Sequence, residues 1–160
     1  MSMETDRLKF GRALEVCLGH ADALQDALND LGDKHFSAAD LLALSSRDRR
    51  LLDQFAYRFT RLQDDMGGRL FPALLGTLGE EVSAMSVIDR LNRLEQLGWI
   101  SLADEWLELR RISNEFAHDY PENPELHLVR LLKAMAAGRR LMEILGTIVA
   151  RRSEQGLWRG

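Results

Sequence analysis

Apolar positions recur at three- and four-residue spacing through nearly the whole chain, the mark of helices that each bury one face. From Asp6 to Leu31 the stripe is Leu14, Cys17, Leu18, Ala21, Leu24, Leu28 and Leu31, and Gly32 is expected to close this helix as its C-terminal cap. Residues 37–44 (SAADLLAL) read as a short connecting helix, with Ser37 as N-cap and Asp40 completing an imperfect capping box. Ser45 or Ser46 then caps a long helix whose inward face is Leu51, Leu52, Phe55, Phe59, Leu62 and Met66. Proline lacks the helical N–H and clashes with the turn before it, so Gly67, Gly68 and Pro72 predict a kink between Met66 and Phe71. Ser86 caps a further helix with Val87, Leu91, Leu94 and Leu97 as its stripe and Gly98 closing it. Ser101 is expected to open the next, with Asp104 favouring its N-terminus and Leu102, Trp106, Leu109, Ile112 and Phe116 on one face. That helix ends at Tyr120, because a residue before proline is pushed towards extended angles. From Glu125 to about Arg152 a last long helix carries Leu128, Leu131, Leu132, Met135, Leu141, Leu145 and Ile148 inward. No strand alternation and no repeat interrupts this series. The expected fold class is all-α, an up-and-down bundle of four to five helices: one domain over residues 1–152, then a polar, disordered tail over 153–160.

Composition narrows the range of functions. The chain of 160 residues is 46% hydrophobic, enough for one continuous core. A formal net charge of -4 argues against non-specific coating of nucleic acid, which needs a broadly basic surface, but leaves room for a local basic groove. The single cysteine, Cys17, has no internal disulfide partner, as suits a reducing cytoplasm, and its plain role is a small core residue. No apolar run approaches the roughly 18 residues of a membrane span, and the N-terminus has charges where a signal peptide has its apolar region. A cytoplasmic protein with no membrane partner is therefore expected. His20, His35 and His127 lack the spacing and carboxylate neighbours of a metal site, and there is no HExxH, CxxC, Walker A or GxSxG pattern. No metal or organic cofactor is expected.

The unusual polar chemistry gathers in residues 105–124, EWLELRRISNEFAHDYPENP. On a helix, Arg111, Asn114, Glu115 and His118 share the face opposite the apolar one. Arg111 and His118 stand about two turns apart, so both reach one phosphate-sized anion from the same side. His118 exchanges protons near neutral pH; the alternative is a capping or dimer-contact histidine at a helix C-terminus. Arg111 either holds a phosphate with its planar fork of donors or pairs with Glu115 one turn on. Arg110, about 80° around the helix from His118, is the reserve for the same role. Ser113 projects towards the apolar side and supplies no charge. On the long helix Arg58, Arg61, Gln63, Asp64 and Asp65 form a second polar cluster, either a solvated face with an ordinary Arg61–Asp65 pair or a groove in which Arg58 contacts phosphate.

The motif resembles the HEPN superfamily (higher eukaryotes and prokaryotes nucleotide-binding), whose mark is an Arg, four to six residues, then a His. Within it the HepT-like toxins are the nearest branch: Asn114, Ala117, His118 and Tyr120 match its Asn and Ala-His-x-Tyr pattern, and residues 57–81 and 88–106 are similar to it as well. Ser113 stands where that branch carries arginine, leaving Arg111 with six intervening residues as the permitted form of the motif. The resemblance implies a homodimer with a metal-independent endoribonuclease site acting on RNA and held in check by a minimal nucleotidyltransferase antitoxin. His118 would then handle protons and Arg111 the phosphate charge, with Asn114, Arg110 and Arg58 as substrate contacts and Tyr120 as the residue that the partner nucleotidylates. The alternative within the same resemblance is a non-catalytic substrate-binding or regulatory subunit of a nucleotidyltransferase.

Overall fold

The computed structural model describes residues 3–118 and 123–154, and among these it is helical with no strand. The elements are α1 (Met3–Lys34), α2 (Ala38–Leu42), α3 (Ser46–Asp65), a π turn (Met66–Leu70), α4 (Phe71–Thr77), a 3₁₀ turn (Val82–Ala84), α5 (Val87–Gln96), α6 (Ala103–His118) and α7 (Pro124–Glu154). α1 packs along α3 and α4, α6 lies between α3, α5 and α7, and α7 returns to cover α2 and α1. Four phenylalanines, Phe10, Phe55, Phe59 and Phe71, are fully enclosed at the centre, with Phe55 stacked on Phe59 and edge-on to Phe116. No described helix is long and apolar enough to cross a membrane.

Local chemistry sets most of the boundaries. Ser37 and Ser86 each accept the N–H of the third residue on, Asp40 and Asp89, whose carboxylates reach back to the serine N–H, so both boxes are complete. Ser45 rather than Ser46 caps α3, accepting from Asp48 N–H at 3.1 Å. Asn123 Oδ1 accepts from Glu125 and Leu126 N–H to start α7 behind Pro124. Gly98, at φ +79, turns the chain out of α5 as expected.

Two boundaries differ from expectation. α1 runs through Gly32 to Lys34 and turns at His35, at φ +49; the extra turn is held by Lys34 Nζ, 3.2 Å from Asp48 Oδ1. α6 starts at Ala103 rather than behind Ser101, because its first free N–H goes to Glu95 Oε1 at 2.8 Å. That acceptor comes from α5, which no local pattern announces. Leu18, Val87, Leu102 and Leu132, expected inside, are exposed; each lies at the edge of its stripe, where the neighbouring helix no longer reaches.

The irregularity expected between Met66 and Phe71 is a π turn, in which Phe71 N–H donates to Met66 O, five residues back. Pro72 has no N–H to offer Gly68, and the widened turn absorbs that missing bond without breaking the rod. Gly67 in this turn lets Trp106 pack close against it. A Cβ there would stand 3.3 Å from Cζ2 of Trp106, whose ring also lies 4.5 Å from Phe71. The π turn is thus the seat on which α6 rests.

Candidate functional site

α6 divides as its sequence demands. Trp106, Leu109 and Phe116 are buried, and Arg110, Arg111, Asn114 and Glu115 are exposed on the other side. Ser113 is 1% exposed, and its Oγ has no hydrogen-bond partner among the described residues. A hydroxyl in that position is costly to leave unpaired, about 1–3 kcal/mol, and it lies on the core side of the helix, away from the polar face.

Arg111 is fully engaged. Its Nε and Nη2 donate to the two oxygens of Glu108 at 2.9 and 2.6 Å, a fork-to-fork pair, and Nη1 donates to Glu115 Oε1 at 2.8 Å. Glu108, ahead of Glu115, raises the arginine above its ordinary value, and the same bonds hold Glu108 below the usual carboxylate range. A phosphate arriving here meets a neutralised guanidinium between two carboxylates. Arg110 has no ion-pair partner among the described residues. It borders a cleft of about 220 Å³ between the π turn, α5 and α6, together with Gln63, Asp64, Gly67, Arg90 and Trp106. Another groove, of about 800 Å³, lies elsewhere, between the start of α1, α4 and the 3₁₀ turn.

Arg58 faces α1 instead of α6. Its Nη1 donates to His20 Nδ1 at 3.0 Å. Arginine only donates, so Nδ1 accepts and the proton of the neutral ring sits on Nε2. That nitrogen lies 3.2 Å from Asp65 Oδ2. Oδ2 is buried and takes no well-directed hydrogen bond, so the approach is that of a ring N–H dipole to a carboxylate and not a formed bond. Arg61 and Arg69 each approach the same carboxylate to 3.8 Å. Cys17, enclosed beside this group, has its thiol pushed up to about 12 by burial and then by Asp65, so it stays protonated.

Burial lowers His20 below the ordinary histidine value more than Asp65 raises it, and Arg58 and Arg61 add to the lowering. Burial also lowers His127. Both therefore bind protons more readily in the unfolded chain, so their contribution to stability is complete above about pH 6.5 and is lost as pH falls towards their folded values. Urea unfolding should show a lower midpoint at pH 5.5 than at pH 7.5, and His20→Gln with His127→Gln should flatten that difference. A midpoint that rises on acidification would contradict this assignment.

Of the residues singled out in the sequence, Arg110, Arg111 and Asn114 share the exposed side of α6, while Arg58 stands apart on the flank of α3 that meets α1. The side chain of His118 and the whole of Tyr120 lie outside the described residues. Sequence reasoning missed His20, Tyr57 and the burial of Asp65, which is 5% exposed. The available signal was register: Arg58, Arg61 and Asp65 flank the buried stripe of Leu62 and Met66, and His20 follows Cys17 by three on the buried stripe of α1. No family model, no curated protein and no solved structure matches the chain.

Proposed function

We propose that the chain is a HepT-like component of a toxin–antitoxin pair: a metal-independent endoribonuclease, working as a homodimer in an up-and-down helical bundle and neutralised by a minimal nucleotidyltransferase. What carries this reading is the polar side of α6, where Arg110, Arg111 and Asn114 are exposed together and Arg110 borders a cleft. In the proposed chemistry the ribose 2′-oxygen attacks phosphorus and the bond to the 5′-oxygen breaks. His118 takes the 2′-OH proton while water protonates the leaving 5′-oxygen, or water takes the first proton while His118 gives the second. An arginine stabilises the charge that builds on the phosphate oxygens.

Within this proposal Arg110 is the better candidate than Arg111 for the phosphate role. Recruiting Arg111 means breaking three hydrogen bonds and leaving Glu108 and Glu115 beside the phosphate. Recruiting Arg110 breaks none among the described residues. For the proposed dimer, Leu126, Val129 and Leu132, exposed at three-residue spacing along α7, are the apolar positions that a second copy would cover. Tyr120 is the proposed acceptor of nucleotide from the partner.

A second reading, a non-catalytic binding or regulatory subunit of the nucleotidyltransferase, is favoured by two observations: Ser113 is buried where the resemblance places arginine, and Arg111 is spent on two glutamates. Incubating the purified protein with RNA in excess chelator separates the two. The endoribonuclease cleaves under those conditions; an intact RNA at stoichiometric protein selects the binding subunit.

A further inference from the structure

The group on the α1–α3 flank has more positive charge than its own structure uses. Arg61 and Arg69 each approach a single carboxylate, Asp65, to 3.8 Å, while Arg58 is held by the His20 ring and not by a carboxylate. Three guanidiniums on one flank that share the charge of one nearby carboxylate repel one another. A bound anion would relieve it. Asp65 and His20 are both nearly enclosed, with side chains 8% and 11% exposed. They act as a fixed base from which Nη1 of Arg58 is held, leaving the remaining donors of its fork for another acceptor.

Beside this fork stands Tyr57. Its side chain is exposed although it is a large aromatic residue, the Arg58 guanidinium lies 5.4 Å from its ring centre, and His20 meets it edge-on at 6.4 Å. A solvent-facing ring braced by a cation and next to fixed arginines has the two parts that single-stranded nucleic acid needs: a stacking platform for a base and donors for the adjoining phosphates. Tyr57 to Arg69 spans about 18 Å along the helix axis, which gives the arginines the form of a ridge. Arg69 also borders the 800 Å³ groove, where Asp6, Glu80 and Glu81 offset Lys9, Arg12 and Arg90. The anion site therefore ends at Arg69.

We infer that the Tyr57–Arg58–Arg61–Arg69 ridge is a second contact surface for single-stranded RNA, in which a base stacks on Tyr57 and its neighbouring phosphates lie on Arg58 and Arg61. The inference rests on the reading that the protein acts on RNA. It places the substrate strand on a flank separate from the α6 cleft, so that the ridge binds and α6 cuts. His20 is a positioning residue for Arg58.

The test is an NMR titration of the full isotope-labelled chain with 2′-O-methyl hexauridylate, which lacks the free 2′-OH needed for cleavage, paired with fluorescence anisotropy at several salt concentrations. Shifts are expected at Tyr57, Arg58 and Arg61. Tyr57→Ala should weaken binding about five- to hundredfold with an unchanged salt slope. Arg58→Ala should lower that slope by about 0.7, the share of one phosphate on a single strand. In His20→Leu the Arg58 side-chain NH signal, distinct in the wild type, should collapse into free rotational averaging while the thermal melt stays cooperative. Shifts confined to Arg110 and Asn114 would overturn the ridge and leave the α6 reading standing. Shifts confined to the ridge would support it and remove α6 as an RNA contact, and a spectrum with no shifts would overturn both. Equal shifts and equal affinity with hexaglutamate would also overturn the inference, because they would reduce the ridge to a plain cationic surface.

Discussion

Arg110→Ala is expected to lower single-turnover cleavage of RNA by about a hundredfold or more, the scale for losing one preorganised donor to a developing oxyanion. Arg111→Ala should change it less than about fivefold on the same argument, since a group already bound to two carboxylates has little left to give the transition state. His118→Ala should match or exceed the loss from Arg110→Ala, because general acid–base residues contribute about 10²–10⁴. The informative outcome is the order of the two arginines. A large loss in Arg111→Ala with Arg110→Ala near wild type would mean that substrate pulls Arg111 away from Glu108 and Glu115, and the assignment to Arg110 would fall.

Trp106→Ala should cost about 3–5 kcal/mol of folding stability, the range for removing a large aromatic from a packed core. For a domain of this size that is a fall of roughly 6–20 °C in Tm. The ring is 3% exposed, lies against Phe71, and fills the space that Gly67 leaves open, so its removal leaves a cavity lined by the π turn and α6 together. It also borders the cleft that holds Arg110. Thermal melts followed by circular dichroism check the figure; a Tm within about 2 °C of wild type would mean that the turn collapses into the vacancy and that α6 is not seated on it.

What was legible in the sequence was whatever rests on local spacing. The helices, the caps at Ser37 and Ser86, the break at Gly98 and the disturbance ahead of Pro72 all depend on residues within a turn or two of each other, and the structure has each of them. So does the division of α6, where Ser113 turns to the core as its position on the helix requires. Illegible were the partnerships across helices. Glu95 reaches from α5 to the first N–H of α6, His20 reaches from α1 to Asp65 and Arg58, and Trp106 closes onto Gly67. Each joins residues that periodicity places correctly on their own helices without saying which helix stands opposite. The same limit applies to Arg58: its spacing on α3 was clear, but its neighbour was α1, so Arg58 stands on a different flank from the α6 motif, while Gln63 and Asp64 of the same cluster border the cleft beside Arg110. Arg111 illustrates a competition within one helix. The spacing that aims it at a phosphate two turns from His118 also sets it between Glu108 and Glu115, and in the folded chain the carboxylates hold it.

The central claim is that the protein cuts RNA through the ribose 2′-oxygen at the α6 site, and the most direct measurement is cleavage of one RNA before and after a single nucleotide at the cut position is replaced by its 2′-deoxy form. In excess chelator the all-RNA strand should be cut to a product ending in a 2′,3′-cyclic phosphate, and the substituted strand should remain intact at that position. Cleavage of the 2′-deoxy strand at the same bond and rate would contradict the account, because the attacking oxygen would then come from somewhere other than the ribose.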